Sequence, residues 1–296
     1  MNSLRTRLKN GGVIAPGAHD ALTAVLAQKA GFESIYVSGF AFEATQLGAP
    51  DMGLATMSEL ATHVSHIVNA TNVDVICDVD TGFGGPNSLH RTVREFERLG
   101  AAAIQIEDQA DPKRCPFLGG RKVVDRETAV ARIRIASEAR QGEDMLIIAR
   151  TDADEISTSE VVERCRLFAE AGADLVLPMV RNLDGIPLTD RTAQERMNIY
   201  ADLVDRIEHP LVTLDPPPGF TAQDLFNIGV ALVVMPLASL EASTTAAINY
   251  FDSLRATGSS DAHMAAFPPR LPANLEMMQS LGLDEYVLRD EEFPGR

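Results

Sequence analysis

Apolar runs rich in β-branched residues alternate along this chain with segments whose apolar residues recur every three or four positions. The first pattern predicts buried parallel strands and the second amphipathic helices packed over them. Strands are expected at Val13–Pro16, Ser34–Ser38, Val73–Asp80, Ala102–Glu107, Met145–Thr151, Asp174–Met179, Pro210–Asp215 and Ala231–Pro236. Helices are expected from the Asp20 cap to Lys29, over Met57–Asn69 and Asn87–Leu99, after an Asp125 cap, and over Ser157–Ala171, Ala193–Ile207, Ala222–Ile228 and Ser239–Arg255. Eight strand–helix units without a second composition regime predict an α/β fold, a (β/α)8 TIM-type barrel over residues 1–258. An open doubly wound sheet is the alternative, but no Gly-x-Gly-x-x-Gly fingerprint follows the first strand. Beyond Gly258 the rhythm stops. The proline-rich Phe267-Pro268-Pro269 precedes short helical pieces at Asn274–Leu281 and Asp284–Leu288. Residues 259–296 therefore read as a C-terminal helical arm, packed on the barrel or on a neighbouring subunit, and not as an independent domain.

A barrel of this kind carries its chemistry at the C-terminal ends of the strands. The stretch from Asp74 to Gly85 is a strand running into a glycine-rich turn, and alternation puts Ile76, Asp78 and Asp80 on one face and Val75, Cys77 and Val79 on the other. Buried carboxylates need compensation. Mg²⁺ supplies it, taking a few carboxylates together with water and substrate oxygens. A solvated strand end, or an aspartate capping the next helix, is the plainer reading of Asp-x-Asp alone. Glu107 ends the fourth strand, and Arg150 ends the fifth on the face of Leu146 and Ile148, which should point inward. A guanidinium there can clamp a substrate carboxylate, or it can form an internal ion pair with Glu107 or Asp152. The Ser38-Gly39 step could be a simple turn, or a place where backbone N–H groups approach an anion. Cys77 and Cys165 read as core. Cys115 lies in a long polar loop beside Lys113, Arg114 and the paired glycines Gly119-Gly120, a composition that suits a lid. Its thiol could be partly ionised by those cations or could act as a proton donor. His63 and His66 read as a solvated helix face, whereas His19 could reach the mouth of the barrel.

Charge narrows the partners. A formal net charge of −16 argues against nucleic acid and anionic membrane, both of which need basic patches. Three cysteines without paired spacing argue against a disulfide framework. No secretory leader or membrane-spanning run is evident, so a reduced cytoplasmic setting is expected.

Several motifs together resemble one family. Pro16-Gly17-Ala18-His19-Asp20-Ala21-Leu22, Tyr36-Val37-Ser38-Gly39, Asp78-Val79-Asp80-Thr81-Gly82-Phe83-Gly84, Ile106-Glu107-Asp108-Gln109, Pro112-Lys113-Arg114-Cys115 and Ile148-Ala149-Arg150-Thr151-Asp152-Ala153 are similar to the isocitrate lyase/phosphoenolpyruvate mutase superfamily. Within it they are nearest the 2-methylisocitrate lyase and 2,3-dimethylmalate lyase branch. The resemblance implies Mg²⁺, or Mn²⁺, held by Asp78, Asp80 and Glu107, with Asp51 assisting through water. It implies that Ser38, Gly39 and Phe40 bind a substrate carboxylate, that Arg150 clamps it, and that Cys115 is the proton donor on a gating loop. Tyr36 is the candidate base by the same resemblance, with a metal-linked water as its rival. It further implies a homotetramer, or a homodimer, in which C-terminal helices exchange between subunits.

The departures concern the far end of the substrate. The family's lyases follow the cysteine with glycine and histidine, where this chain has Pro116 and Phe117. Their glutamate after strand six is Met179 here. Their polar residues after strand seven are Leu214, Asp215 and Pro216–Pro218, and Glu241 stands where the methylisocitrate lyases have an arginine. Met179 and Leu214 are thus expected to present an apolar surface. The resulting expectation is a Mg²⁺-dependent carbon–carbon lyase that cleaves a 2-hydroxy dicarboxylic acid, an alkyl-substituted malate or a methylisocitrate-like acid, to a 2-oxo acid and a carboxylic acid. Oxaloacetate hydrolase or decarboxylase activity, phosphonate chemistry and a non-catalytic ligand-binding barrel are the alternatives.

Overall fold

The computed structural model describes residues 3–266 and 273–293, so the run Phe267-Pro268-Pro269 lies outside the described residues. Eight strands form one parallel sheet: β1 (Val13–Pro16), β2 (Ser34–Val37), β3 (Asp74–Asp78), β4 (Ala103–Glu107), β5 (Leu146–Thr151), β6 (Leu175–Pro178), β7 (Leu211–Thr213) and β8 (Val230–Met235). Neighbouring strands follow chain order, and β8 returns to pair with β1. The ring closes between β1 and β2 through a parallel bridge from Gly17 to Tyr36, where the Ala18 N–H donates to the Tyr36 carbonyl at 2.9 Å. Gly17 has to be glycine, because a Cβ there would lie 2.2 Å from the Pro236 carbonyl oxygen. The expected (β/α)8 barrel is the observed fold.

Period-two alternation separates two cores. Val13, Ala15, Tyr36, Ile76, Ala103, Leu146, Ile148, Leu175, Leu177, Val212, Leu232 and Val234 fill the barrel, while Val75, Cys77, Ile104, Ile106, Ile147, Ala149 and Val176 face the helices outside. At about 1.5–3 kcal/mol for each large side chain taken from water, these two layers dominate the stability of the barrel. At their C-terminal ends the inward rows become polar, where Asp78, Gln105, Glu107 and Arg150 continue them.

Capping fixes several helix starts. Asp20 accepts from the Thr23 N–H at 2.7 Å and starts Ala21–Lys29, and Asp125 accepts from the Thr128 N–H at 2.8 Å and starts Arg126–Ala139. Three features depart from the sequence expectations. Residues Leu4–Asn10, for which no element is expected, form a helix that puts Leu4 into the bottom of the barrel core and ties Arg7 to Ser34 and Asp74. His63 is buried and stands edge-on to Phe42 at 5.2 Å, so it is packed and not solvated, whereas His66 is exposed as expected. Strand β3 ends at Asp78, and Asp80 sits in a turn with φ +49°.

The chain divides into two compact units, residues 1–240 and 241–296. In the second, helices cover Asp261–Ala266, Ala273–Ser280 and Leu283–Glu292. Among the described residues no helix is long and apolar enough to cross a membrane.

Candidate active site

Strand register brings the acidic residues together. Asp78 of β3 is the register partner of Gln105 of β4, and Glu107 of β4 that of Arg150 of β5. Side chains paired this way in parallel neighbours share a face, so the Gln105 amide donates to Asp78 Oδ1 at 3.1 Å and the Arg150 guanidinium meets Glu107 Oε2 at 3.0 Å. Tyr36, from β2, donates its hydroxyl to Gln105 Oε1 at 2.7 Å. Burial first, and the Asp78 carboxylate second, push the Tyr36 pKa well above its ordinary value, so at neutral pH this phenol is a hydrogen-bond donor. The sharp turn after β3 folds Asp80 back onto the same face, with its own N–H on Asp78 Oδ1 at 3.2 Å.

The stretch after β2 forms the opposite wall. Ser38 leads into a four-residue helix, Gly39–Phe42, with Phe40 half-buried on it. A Cβ at Gly39 would come within 3.2 Å of Asp80 Oδ1, so the missing side chain lets this backbone approach the carboxylates. The helix runs into a wider π-helical turn, Glu43–Leu47. Glu43 is fully buried and accepts N–H groups from Met52, Leu54 and Ala55, which pins the loop that presents Asp51.

The loop after β4 is folded down over the site. Its stem is an antiparallel bridge between Gln109 and Val123, and the Gln109 amide clasps the Arg114 backbone in both directions at 2.9 and 3.0 Å. That geometry drives Lys113 inward, where its ammonium reaches Asp51 at 2.7 Å and Asp80 at 2.5 Å. Burial opposes the charge on Lys113, but Asp80, Glu107, Asp78 and Asp51 outweigh it and raise the pKa. Cys115 follows, 6% exposed, and its thiol is pushed up to about 11 by burial, with the nearby Asp51 carboxylate adding to the effect against the Phe117 N–H. Of the two states expected for this thiol, the site favours the protonated one. Cys77 and Cys165 are buried in the outer core, as expected.

Arg150 makes both of the ion pairs named as its alternatives, to Glu107 and, through two bonds of 2.9 Å, to Asp152. Asp152 is shared with Arg121 at 2.5 Å, and Arg121 also meets Asp154 and Glu155. Asp108 steadies the turn after β5 by accepting from Thr151 Oγ1, the Asp152 N–H and Arg164. Met179 is buried with its N–H on the Thr151 carbonyl, and with Leu214 it lines a cavity of about 60 Å³ at the far side of the barrel mouth. His19 is held at the rim by Ser239 Oγ, 2.8 Å from its Nδ1.

Gln105, Arg121 and Glu43 are the polar residues that motif reading passed over. Gln105 was legible from alternation alone, since it lies between Ala103 and Glu107 on the inward row. The structure also bears on the expected cation. Among the described residues no group of three histidine, cysteine, aspartate or glutamate side chains is placed to hold a metal ion. Mg²⁺ needs none, because it keeps several waters and takes one or two carboxylates. Glu107 Oε1 is buried without a hydrogen-bond donor, and burial raises the pKa of both Glu107 and Asp80. An all-oxygen donor set with an orphaned, desolvated oxygen fits a hard divalent cation.

The chain is similar to several known proteins. The phosphoenolpyruvate phosphomutase family pattern matches residues 4–255. The 2,3-dimethylmalate lyase of Eubacterium barkeri is 36% identical over 244 residues, which cover 82% of this chain and 81% of that enzyme. The 2-methylisocitrate lyase of Aeropyrum pernix is 36% identical over 285 residues, covering 95% of this chain and 86% of that one. Among solved structures, an oxaloacetate acetylhydrolase bound to 3,3-difluorooxalacetate superposes with a TM-score of 0.87 at 28% identity, covering 99% of this chain and 97% of that one. Because the match runs through all eight strands and takes in the loops that carry Asp51 and Cys115 as well as Arg150 on β5, the chain belongs to the isocitrate lyase/phosphoenolpyruvate mutase superfamily of enzymes.

Proposed function

We propose that the protein is a Mg²⁺-dependent lyase that breaks the C2–C3 bond of an alkyl-substituted 2-hydroxy diacid, releasing a 2-oxo acid and a carboxylic acid. The observation that carries this reading is a buried, protonated thiol, Cys115, set beside Asp51 and beside Lys113, whose ammonium reaches the Asp80 carboxylate. Asp78, Asp80 and Glu107 would hold the cation, with Asp51 reaching it through water. When bound, Mg²⁺ supplies Lewis-acid neutralisation of charge on the substrate's C1 carboxylate and C2 oxygen.

This chain's own residues do the rest. The Ser38, Gly39 and Phe40 backbone receives the near carboxylate, and Arg150, fixed by Asp152, clamps it. Tyr36, whose hydroxyl donates to Gln105, holds the Gln105 amide on Asp78, and the C2 hydroxyl proton passes to a water molecule among the carboxylates. The C2–O bond becomes a carbonyl, the C2–C3 pair moves into the departing carboxylate as an enolate, and the Cys115 S–H proton passes to C3. The seated loop keeps bulk water from competing for the enolate. Met179 and Leu214 offer apolar surface to alkyl branches, at about 0.8 kcal/mol for each buried CH₂.

A panel of alkyl-substituted malates, isocitrate and 2-methylisocitrate, assayed with Mg²⁺ for 2-oxo acid release, tests the reading. Turnover of an alkyl malate should be lost on chelation and in Asp80→Ala; full activity after exhaustive chelation would refute the metal assignment. Likeness to the oxaloacetate acetylhydrolase supports a second reading, hydrolysis of oxaloacetate, and acetate release from that substrate in the same panel would favour it over the lyase.

A further inference from the structure

Arg181 lies two residues beyond Met179, where β6 gives way to a short hairpin, Asn182–Leu183 against Ile186–Pro187. Its carbonyl is pinned by the Leu188 N–H at 2.8 Å, so its backbone position is set. The guanidinium is half-buried, and burial lowers its pKa, although Tyr200 and Asp215 lie near enough to favour the charge. Among the described residues it makes no ion pair and no hydrogen bond. Its neighbours differ: Arg121 is held by three carboxylates, Arg150 by two, and Arg191 and Arg196 donate to backbone carbonyls. The Arg181 guanidinium lies over the Phe117 ring of the seated loop, 4.6 Å from guanidinium carbon to ring centroid. A ring covers the face of a guanidinium and leaves its in-plane N–H fork open to an acceptor.

Placement tells what that acceptor is. Arg181 borders the cavity of about 60 Å³ that Met179 and Leu214 line, and also one of about 360 Å³ under Pro116, Phe117 and Leu118. It therefore sits where the far end of a substrate would lie if its near end were on Arg150. We propose that Arg181 binds the far carboxylate of the substrate, and that Phe117, by stacking on it, couples that contact to the seating of the loop. The proposal rests on the diacid lyase reading and names the group that reads the second carboxylate. Burial of the guanidinium is costly, and a bidentate carboxylate would offset that cost beside the favourable fields of Tyr200 and Asp215.

The test compares an alkyl-substituted malate with its far-end amide, which keeps shape and loses charge, and uses oxalate as an inhibitor that has no far end. In Arg181→Met the KM for the diacid should rise about ten- to a hundredfold. The amide KM and the oxalate inhibition constant should stay within about twofold, and Arg181→Lys should recover part of the loss. Equal losses for diacid and amide would overturn the proposal in favour of a purely structural hold on the loop, and an unchanged diacid KM would overturn it outright. Should the native enzyme turn over no diacid, the lyase reading itself fails. Calorimetric binding of diacid against amide in the presence of Mg²⁺ then decides the Arg181 assignment separately: a charge preference lost in Arg181→Met supports it, and a preference that survives refutes it.

Discussion

Single side chains in this site are defined by what burial does to their protons. Cys115 stands beside Lys113, but that ammonium is already engaged with Asp51 and Asp80, so the thiol feels desolvation and an acid more than a cation. Proximity in sequence suggested a thiolate as readily as a thiol; the ion-pair geometry separates the two. A thiol with a pKa of about 11 stays protonated across the physiological range. Alkylation of the native protein by iodoacetamide should therefore be slow at pH 7 and accelerate as pH rises toward 11, since only the thiolate reacts. Rapid single-site labelling of Cys115 at pH 7 would contradict the donor assignment. Cys115→Ser should lower kcat by about 10²–10⁴ while oxalate still binds, because a hydroxyl is a poorer acid at the same place. A near-native kcat in that variant would remove Cys115 from the mechanism.

Elements act through register and loop stems. The pairing of Glu107 with Arg150, and of Asp78 with Gln105, follows from parallel strands whose inward rows are fixed by Ala103, Ile148 and Ile76. That much was legible in the sequence, because alternation alone predicts which face each residue takes. The turn beyond each strand was not. Asp80 reaches the carboxylate cluster through a left-handed residue and not through strand continuation, and Lys113 arrives through a loop whose Gln109–Arg114 clasp no periodicity encodes. Asp152 illustrates the same limit, since its carboxylate joins Arg150 from β5 to Arg121 from the loop after β4. Both guanidiniums would lose an acceptor in Asp152→Asn. Breaking a buried pair from one side costs about 3–5 kcal/mol, so urea unfolding should show a loss of that order, together with a raised KM for any carboxylate substrate. A stability change below about 0.5 kcal/mol would show that the two arginines re-pair without it.

At the scale of the whole molecule, the barrel is complete on its own and the second unit is not. Strands β2 to β7 bury both faces, one against the barrel interior and one against helices, while β1 and β8 keep half-buried positions such as Ile14 and Met235. The helix Ala238–Thr257, by contrast, has no buried residue and exposes Ile248, Phe251 and Leu254, and the helix Leu283–Glu292 exposes Tyr286, Val287 and Leu288. Apolar side chains gathered on helices in this way mark an association surface more often than a solvated face. We infer that further copies of the chain cover them, as the family resemblance implied for the C-terminal arm. Closed symmetric assembly makes such a surface self-complementary, so a dimer or a tetramer satisfies it and an open chain does not. Light scattering behind gel filtration should give two or four times the 32.0 kDa chain mass at micromolar concentration. Replacing Phe251 and Leu254 together by glutamate should shift the population toward the single chain. Far-ultraviolet circular dichroism should stay unchanged, because neither side chain is buried within its own subunit. A monomeric native protein, or a variant whose mass does not change, would exclude these helices as the contact.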